Sequence, residues 1–172
     1  MAVGIIAEYN PFHAGHAHQI STIKKICAAP IVAVMSGSFT QRGVPTILDK
    51  WTRARLAGSG GVDLVLELPF VSAVRSAQDF ARGGIRLFES LGVVDTLAFG
   101  AEVTDLSTLR RAAAAFDEKS FANDLRGLMS AGMSYAAAVT KILAEVTGLD
   151  ENRLRQPNTI LAIEYLRALP ET

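Results

Sequence analysis

Four short runs rich in Val, Ile and Leu, at residues 3–8, 31–35, 62–67 and 96–99, recur between stretches of helical period. None of them alternates apolar with polar residues, which is the pattern of strands covered on both faces of a parallel sheet. Helix-period stretches lie between them. Ile20, Ile23, Ile26 and Cys27 mark the apolar face of the first, and Ala73, Ala77, Phe80, Gly84, Leu87, Phe88 and Leu91 mark that of a later one. Strand and helix in alternation predict right-handed βαβ crossovers, hence an α/β fold built on a doubly wound parallel sheet.

From about residue 105 the pattern changes to helices alone, predicted over 106–116, 121–130, 135–146 and 157–169, with breakers at Gly132, Gly148 and Pro157. The expected organisation is therefore an α/β core over residues 1–104 and a C-terminal helical appendage over 105–172 that packs on the sheet and helps to close a site.

Composition narrows the function classes. With 49% hydrophobic and 20% charged residues, the 172-residue chain has enough apolar side chain for a buried core. Lys+Arg and Asp+Glu both number 17, so no global attraction to nucleic acid or to an anionic membrane is expected. The balance is global and not local, however. Residues 1–60 carry Lys24, Lys25, Arg42, Lys50, Arg53 and Arg55 against Glu8 and Asp49 alone, and they contain all three histidines, His13, His16 and His18. A single cysteine, Cys27, excludes an internal disulfide and a Cys-x-x-Cys pair. The N-terminus lacks a basic signal-peptide region, and the most apolar window, residues 27–35, contains Pro30 and falls far below the roughly 20 residues of a membrane span. A cytoplasmic protein with no membrane partner is expected.

The first strand ends at Glu8, and Tyr9-Asn10-Pro11-Phe12-His13-Ala14-Gly15-His16 follows. Asn10 and Pro11 redirect the chain, and a helix is predicted to begin near Ala14 or Gly15. A helix start at the carboxyl end of a parallel strand favours an anion, through its open N–H groups and its dipole. His13 and His16, three apart, would project from one face beside those N–H groups as further donors. Gly15 would let a nucleotide approach the backbone. The same pair also fits half of a zinc ligand set, which lacks a cysteine partner here, or an ordinary surface helix start. No metal ligand is assigned.

The motifs extend along the chain: Gly4 to His16, then Met35-Ser36-Gly37-Ser38-Phe39-Thr40-Gln41-Arg42-Gly43, Asp49-Lys50-Trp51, Arg53-Ala54, Gly61 to Pro69, Phe99-Gly100-Ala101-Glu102 and Gln156-Pro157-Asn158. In these the sequence resembles the nucleotidyltransferase superfamily with the His-x-Gly-His signature, and more narrowly the tRNA(Met) cytidine acetate ligases. The resemblance implies a Rossmann-like core and an ATP-dependent ligase reaction. Acetate attacks the α-phosphate to give acetyl-adenylate and pyrophosphate, and the wobble cytidine of elongator methionine tRNA then takes the acetyl group as N4-acetylcytidine. It implies ATP contacts from Ile6, Ala7, Glu8, Tyr9, Asn10, Pro11, Phe12, His13, Ala14, Gly15, His16 and Gln19, with His13 and His16 as the catalytic pair on the phosphates. Gly100 and Asn158 are implied on the adenosine, and Mg2+ is expected with ATP.

Outside this set, residues 36–43 have the composition of an anion-facing loop, or of a plain solvated connection. Asp49, Lys50 and Arg53 are candidates for charge near the site, and Asp49 is equally the N-cap of the second helix. Trp51 is expected in the core or in a packing lid. Glu67, at the end of the third strand, is a possible magnesium ligand. Ser38, Val44, Gln78 and Ala101 depart from the family's usual Asn, Glu, Glu and Ser. Family members are also longer, with a Ser-rich, Arg-containing phosphate motif after the segment at which this chain stops. The expectation is an N-terminal fragment or a shortened homologue that binds tRNA weakly. A nucleotide-binding domain without turnover, or an adenylyltransferase for another small substrate, are the alternative functions.

Overall fold

The computed structural model describes residues 1–170 and divides into two compact units, Met1–Phe99 and a second beginning at Gly100. In the first unit, β1 (Ala2–Ala7), β2 (Ile31–Ser36), β3 (Leu64–Leu68) and β4 (Val94–Leu97) form one sheet in the order β3-β2-β1-β4. All its pairings are parallel, with Ile5 opposite Ala33 and Val34 opposite Leu66. The order reverses beside β1, and in open α/β sheets the crevice outside the carboxyl ends at such a switch point is where ligands bind.

Helices α1 (Ala14–Ile26) and α2 (Lys50–Ser59) cover one face, where Ile20, Ile23 and Ala57 join Val3, Ile5, Ile31, Ala33 and Met35 in one buried cluster. On the other face the short α3 (Phe70–Ala73) leads into α4 (Ala77–Leu91), which lies so close to β1 that Gly84 meets Ile6 and Gly4 meets Phe88. Fifteen residues of α4 carry a buried stripe of Phe80, Ala81, Gly84, Ile85 and Phe88.

The doubly wound parallel sheet predicted from the apolar runs is present, with five differences of detail. Only β1 and β2 are buried on both faces, because β3 and β4 are the sheet edges and are partly exposed. Strand β4 begins two residues earlier than the apolar run and β3 two residues later. The stretch from Ala73 to Leu91 breaks at Ser76, whose hydroxyl caps α4 by accepting from the Asp79 N–H. Ile26, expected on the apolar face, is 81% exposed, since α1 stops there and Cys27 is already extended. Trp51, expected in the core or a lid, is 67% exposed.

The second unit consists of α5 (Leu106–Ala115), α6 (Lys119–Ser130), α7 (Tyr135–Thr147), α8 (Glu151–Leu154) and α9 (Pro157–Ala168). Helix α5 packs on α7 and α9 through Leu109, Ala112, Ala138, Ile142, Ala162 and Ile163, the alanines allowing close approach. Left-handed Gly148 ends α7. Among the described residues no helix is long and apolar enough to cross a membrane.

Candidate active site

Beyond Ala7 the chain leaves the sheet through Tyr9, whose backbone is left-handed at φ 48°, and a cis Asn10–Pro11 bond. The turn drives the Tyr9 ring into the core, 1% exposed, with Phe12 at 5.2 Å and His16 at 4.9 Å in edge-to-face contact. Burial pushes the Tyr9 phenol up to about 12, so it stays protonated at any physiological pH. The aromatic packing fixes the plane of the His16 ring at the start of α1.

The two histidines cap the helix themselves. His13 is the N-cap, extended at φ −139°, and its Nδ1 accepts from the Gly15 N–H at 3.1 Å. His16 Nδ1 in turn accepts from the His13 N–H at 3.3 Å, which completes a reciprocal capping box made of imidazoles. The rings stack with centroids 3.7 Å apart. Gly15 permits this: a Cβ there would lie 3.0 Å from the His13 ring. The sequence placed the rings beside free N–H groups. Instead they take up those donors themselves: the His13 ring caps the backbone at Gly15 and His16, the His16 ring caps that of His13, and the Ala14 N–H remains open among the described residues.

This capping settles the tautomer. An Nδ1 that accepts a hydrogen bond carries no proton, so each ring holds its proton on Nε2, away from the backbone. Burial, and then the neighbouring His13, lower the His16 pKa to about 4, so His16 is a neutral donor near pH 7. The first turn of α1 contains no acidic residue and its last turn contains Lys24 and Lys25. The open Ala14 N–H, the Nε2 positions of the two rings and a dipole end with no acidic residue in its first turn together suit a phosphate chain.

Arg53, which the sequence marked only as a charge near the site, is fully buried. Its guanidinium donates to the carbonyls of Glu8 (2.5 Å), Ser36 (3.0 Å), Gly37 and Leu48 (3.2 Å). It thereby joins the carboxyl ends of β1 and β2 to the loop that enters α2. Burial lowers its pKa, and the nearby Glu8, Asp49 and Glu67 charges oppose that. The loop over 37–48 is tied down further. The Gln41 N–H donates to the Glu8 carboxylate, the Gln41 amide to the Arg75 carbonyl, and the Ile47 N–H to Asn10 Oδ1 at 2.8 Å. Glu8 Oε1 and Asn10 Oδ1 are thus taken by this loop, while Tyr9 and Phe12 pack against each other and His16. Gln19 is half-buried farther along α1, and His18 is exposed.

Asp49 is the N-cap of α2, accepting from the Thr52 N–H at 3.0 Å. Glu67 Oε2 is taken by Lys50 Nζ at 2.6 Å, and the described residues hold no group of three His, Cys, Asp or Glu that would bind a metal. A protein-held magnesium ion does not fit this arrangement.

In the second unit Gly100 is exposed, and a methyl group there would meet nothing within 4 Å. Asn158 lies at the start of α9 and donates its amide to Glu102 Oε1 at 2.9 Å, while Glu102 Oε2 accepts from the Thr159 N–H at 2.7 Å and hydroxyl at 3.0 Å. Burial would raise the Glu102 carboxyl, and these hydrogen bonds overcome it, leaving the pKa below the usual value. Glu102 therefore caps the start of α9, and Asn158 Oδ1 accepts no hydrogen bond among the described residues. Sequence reasoning gave Glu102 no role, because its partners lie 56 and 57 residues away.

The family model described as HIGH Nucleotidyl Transferase matches residues 1–172. The chain belongs to the HIGH nucleotidyltransferase family. Among curated relatives it is 49% identical to the tRNA(Met) cytidine acetate ligase of Syntrophotalea carbinolica and 45% identical to that of Caldanaerobacter subterraneus, over 99% and 98% of this chain. It spans 42% and 43% of the length of these two relatives. The crystal structure of Thermotoga maritima TmcAL bound with alpha-thio ATP superposes with a TM-score of 0.89 at 35% identity, over 98% of this chain and 43% of that one. The apo form of the same protein gives the same TM-score.

Proposed function

We propose that this chain is the ATP-binding and adenylate-forming part of a tRNA(Met) cytidine acetate ligase. The observation that carries the reading is the imidazole-capped start of α1 at the carboxyl end of β1, with Nδ1 of both rings taken by backbone N–H groups and no acidic residue in the first turn. His13 and His16 bind the phosphates of ATP, and the main chain of residues 6–19 wraps them. Acetate attacks the α-phosphorus, the bond to the pyrophosphate oxygen breaks, and pyrophosphate leaves with that electron pair. Such a transfer requires no enzyme nucleophile; it requires alignment and donors that follow the charge onto the departing oxygens. The wobble cytidine amine of elongator methionine tRNA then attacks the acetyl carbon and AMP departs. Magnesium would arrive on the phosphate oxygens of ATP rather than in a protein site.

The relatives' names and the ATP-analogue complex support this reading. A cytoplasmic location follows from a tRNA substrate. The test is equilibrium ATP binding by the chain, followed by acetate-dependent release of pyrophosphate with and without tRNA. We expect ATP binding that His13→Ala and His16→Ala each weaken. Unchanged affinity in both variants would overturn the phosphate assignment. ATP binding without acetate-dependent pyrophosphate release would instead identify a nucleotide-binding domain that does not turn over.

A further inference from the structure

One cavity in the first unit is lined by none of the residues that cap α1. It measures about 170 Å³ and opens at the carboxyl ends of β2 and β3, lined by Gly37, Ser38, Phe39, Glu67, Leu68 and Phe70. It is far smaller than a pocket for a whole nucleotide, so its scale is that of a single planar ring. Phe39 and Phe70 stand together edge to face at 5.7 Å, and they are 37% and 61% exposed, which leaves aromatic surface available for stacking. At the polar side, Lys50 holds Glu67 Oε2 at 2.6 Å. The other oxygen, Oε1, lies over the bare Cα of Gly37, where a methyl group would overlap it, and accepts no hydrogen bond among the described residues.

These features select a ligand. A carboxylate oxygen with an open acceptor position repels acetate and phosphate and attracts an N–H donor. Aromatic faces beside it suit a flat heterocycle. An exocyclic amine on a pyrimidine meets both demands, and Glu or Asp accepting from cytosine N4 is the corresponding base-edge pairing. Uracil offers a carbonyl oxygen at the same position and would be repelled.

We propose that this pocket receives the cytosine base of the acceptor nucleotide, unstacked from its RNA, with Glu67 Oε1 accepting from N4 and Phe70 stacking on the ring. The inference rests on the ligase reading above and adds to it the residue that distinguishes cytidine from uridine. Lys50 holds Glu67 in place as a positioning residue. The pocket belongs to β2 and β3, whereas the imidazole pair stands after β1, so base and phosphates have separate seats along one sheet edge.

The test titrates the chain with CMP, UMP and ATP, following Phe39, Phe70 and Gly37 signals by NMR. CMP is expected to bind about tenfold more tightly than UMP and to shift those signals. Glu67→Gln should abolish the preference while leaving ATP affinity unchanged, and Phe70→Ala should weaken CMP and UMP alike. Equal affinities for CMP and UMP, no CMP binding, or a preference that survives in Glu67→Gln would overturn the proposal. Displacement of CMP from these signals by ATP would also overturn it, since the pocket would then take adenine. Loss of ATP binding by the unmodified chain, with the CMP preference intact, would count against the ligase reading and not against the pocket.

Discussion

Helices α1 and α5 both begin with a side chain that caps the backbone, yet the two starts have opposite electrical character. At α5 the Asp105 carboxylate accepts from the Ser107 and Thr108 N–H groups at 3.2 and 3.1 Å and from both hydroxyls. The Thr108 hydroxyl, then Ser107, hold its pKa down at about 2, so a fixed negative charge sits on the dipole end. At α1 two imidazoles do the same capping through Nδ1, and no carboxylate is present in the first turn. The comparison shows how capping and anion binding are separated: a carboxylate cap satisfies the helix and closes it to anions, whereas an imidazole cap satisfies it and presents an N–H on the far side.

The largest expected effect comes from exchanging these chemistries. His13→Asp should preserve the α1 cap while lowering ATP affinity about a hundredfold, through repulsion between carboxylate and phosphate. Binding titration and thermal unfolding of the same sample check both halves. Removing the donors without adding charge is milder, and His13→Ala or His16→Ala should each weaken ATP about tenfold. In the other direction, Asp105→Ala should lower Tm by about 4 °C, since it removes a cap, with no loss of ATP affinity. A Tm unaffected by this change would erase the structural side of the comparison.

The smallest effects are in pH. The folded pKa of His16, about 4, is below its ordinary 6.5, so the unfolded chain binds a proton that the folded chain refuses. Stability should therefore decline as pH falls from about 6.5 toward 4, and His16→Gln should remove that slope. For Asp105 the folded value of about 2 is below the ordinary 3.8, so the stability of its cap is present above 3.8 and is lost as pH falls through 2. Urea unfolding across pH 2 to 8 would show whether the two windows separate in this way.

How much of this was legible in the sequence follows the range of the interactions. The sheet was, because its strands are written as contiguous apolar runs, and so was the Asp49 cap of α2, which is satisfied three residues away. Ser76-Ala77-Gln78-Asp79 carried a local capping signal for the α4 start that periodicity alone overran. The histidines were found, but not their capping role, because imidazole is not among the usual N-cap groups. Arg53 and Glu102 lay beyond sequence reading. The carbonyls that bind Arg53 come from residues 8, 36, 37 and 48, and the groups that bind Glu102 come from α9. Only the folded chain assembles such sets. The partial exposure of β3 and β4 has the same origin, since edge position depends on strand order rather than on composition.

The central claim, that the imidazole-capped start of α1 is the phosphate site, is tested most directly by 15N NMR of the histidine rings, with and without ATP. The account predicts that His13 and His16 of the free chain are Nε2–H tautomers near pH 7, and that ATP shifts both Nε2 resonances while His18 changes little. An Nδ1–H tautomer in either ring, or ATP binding that leaves both Nε2 signals in place, would contradict it.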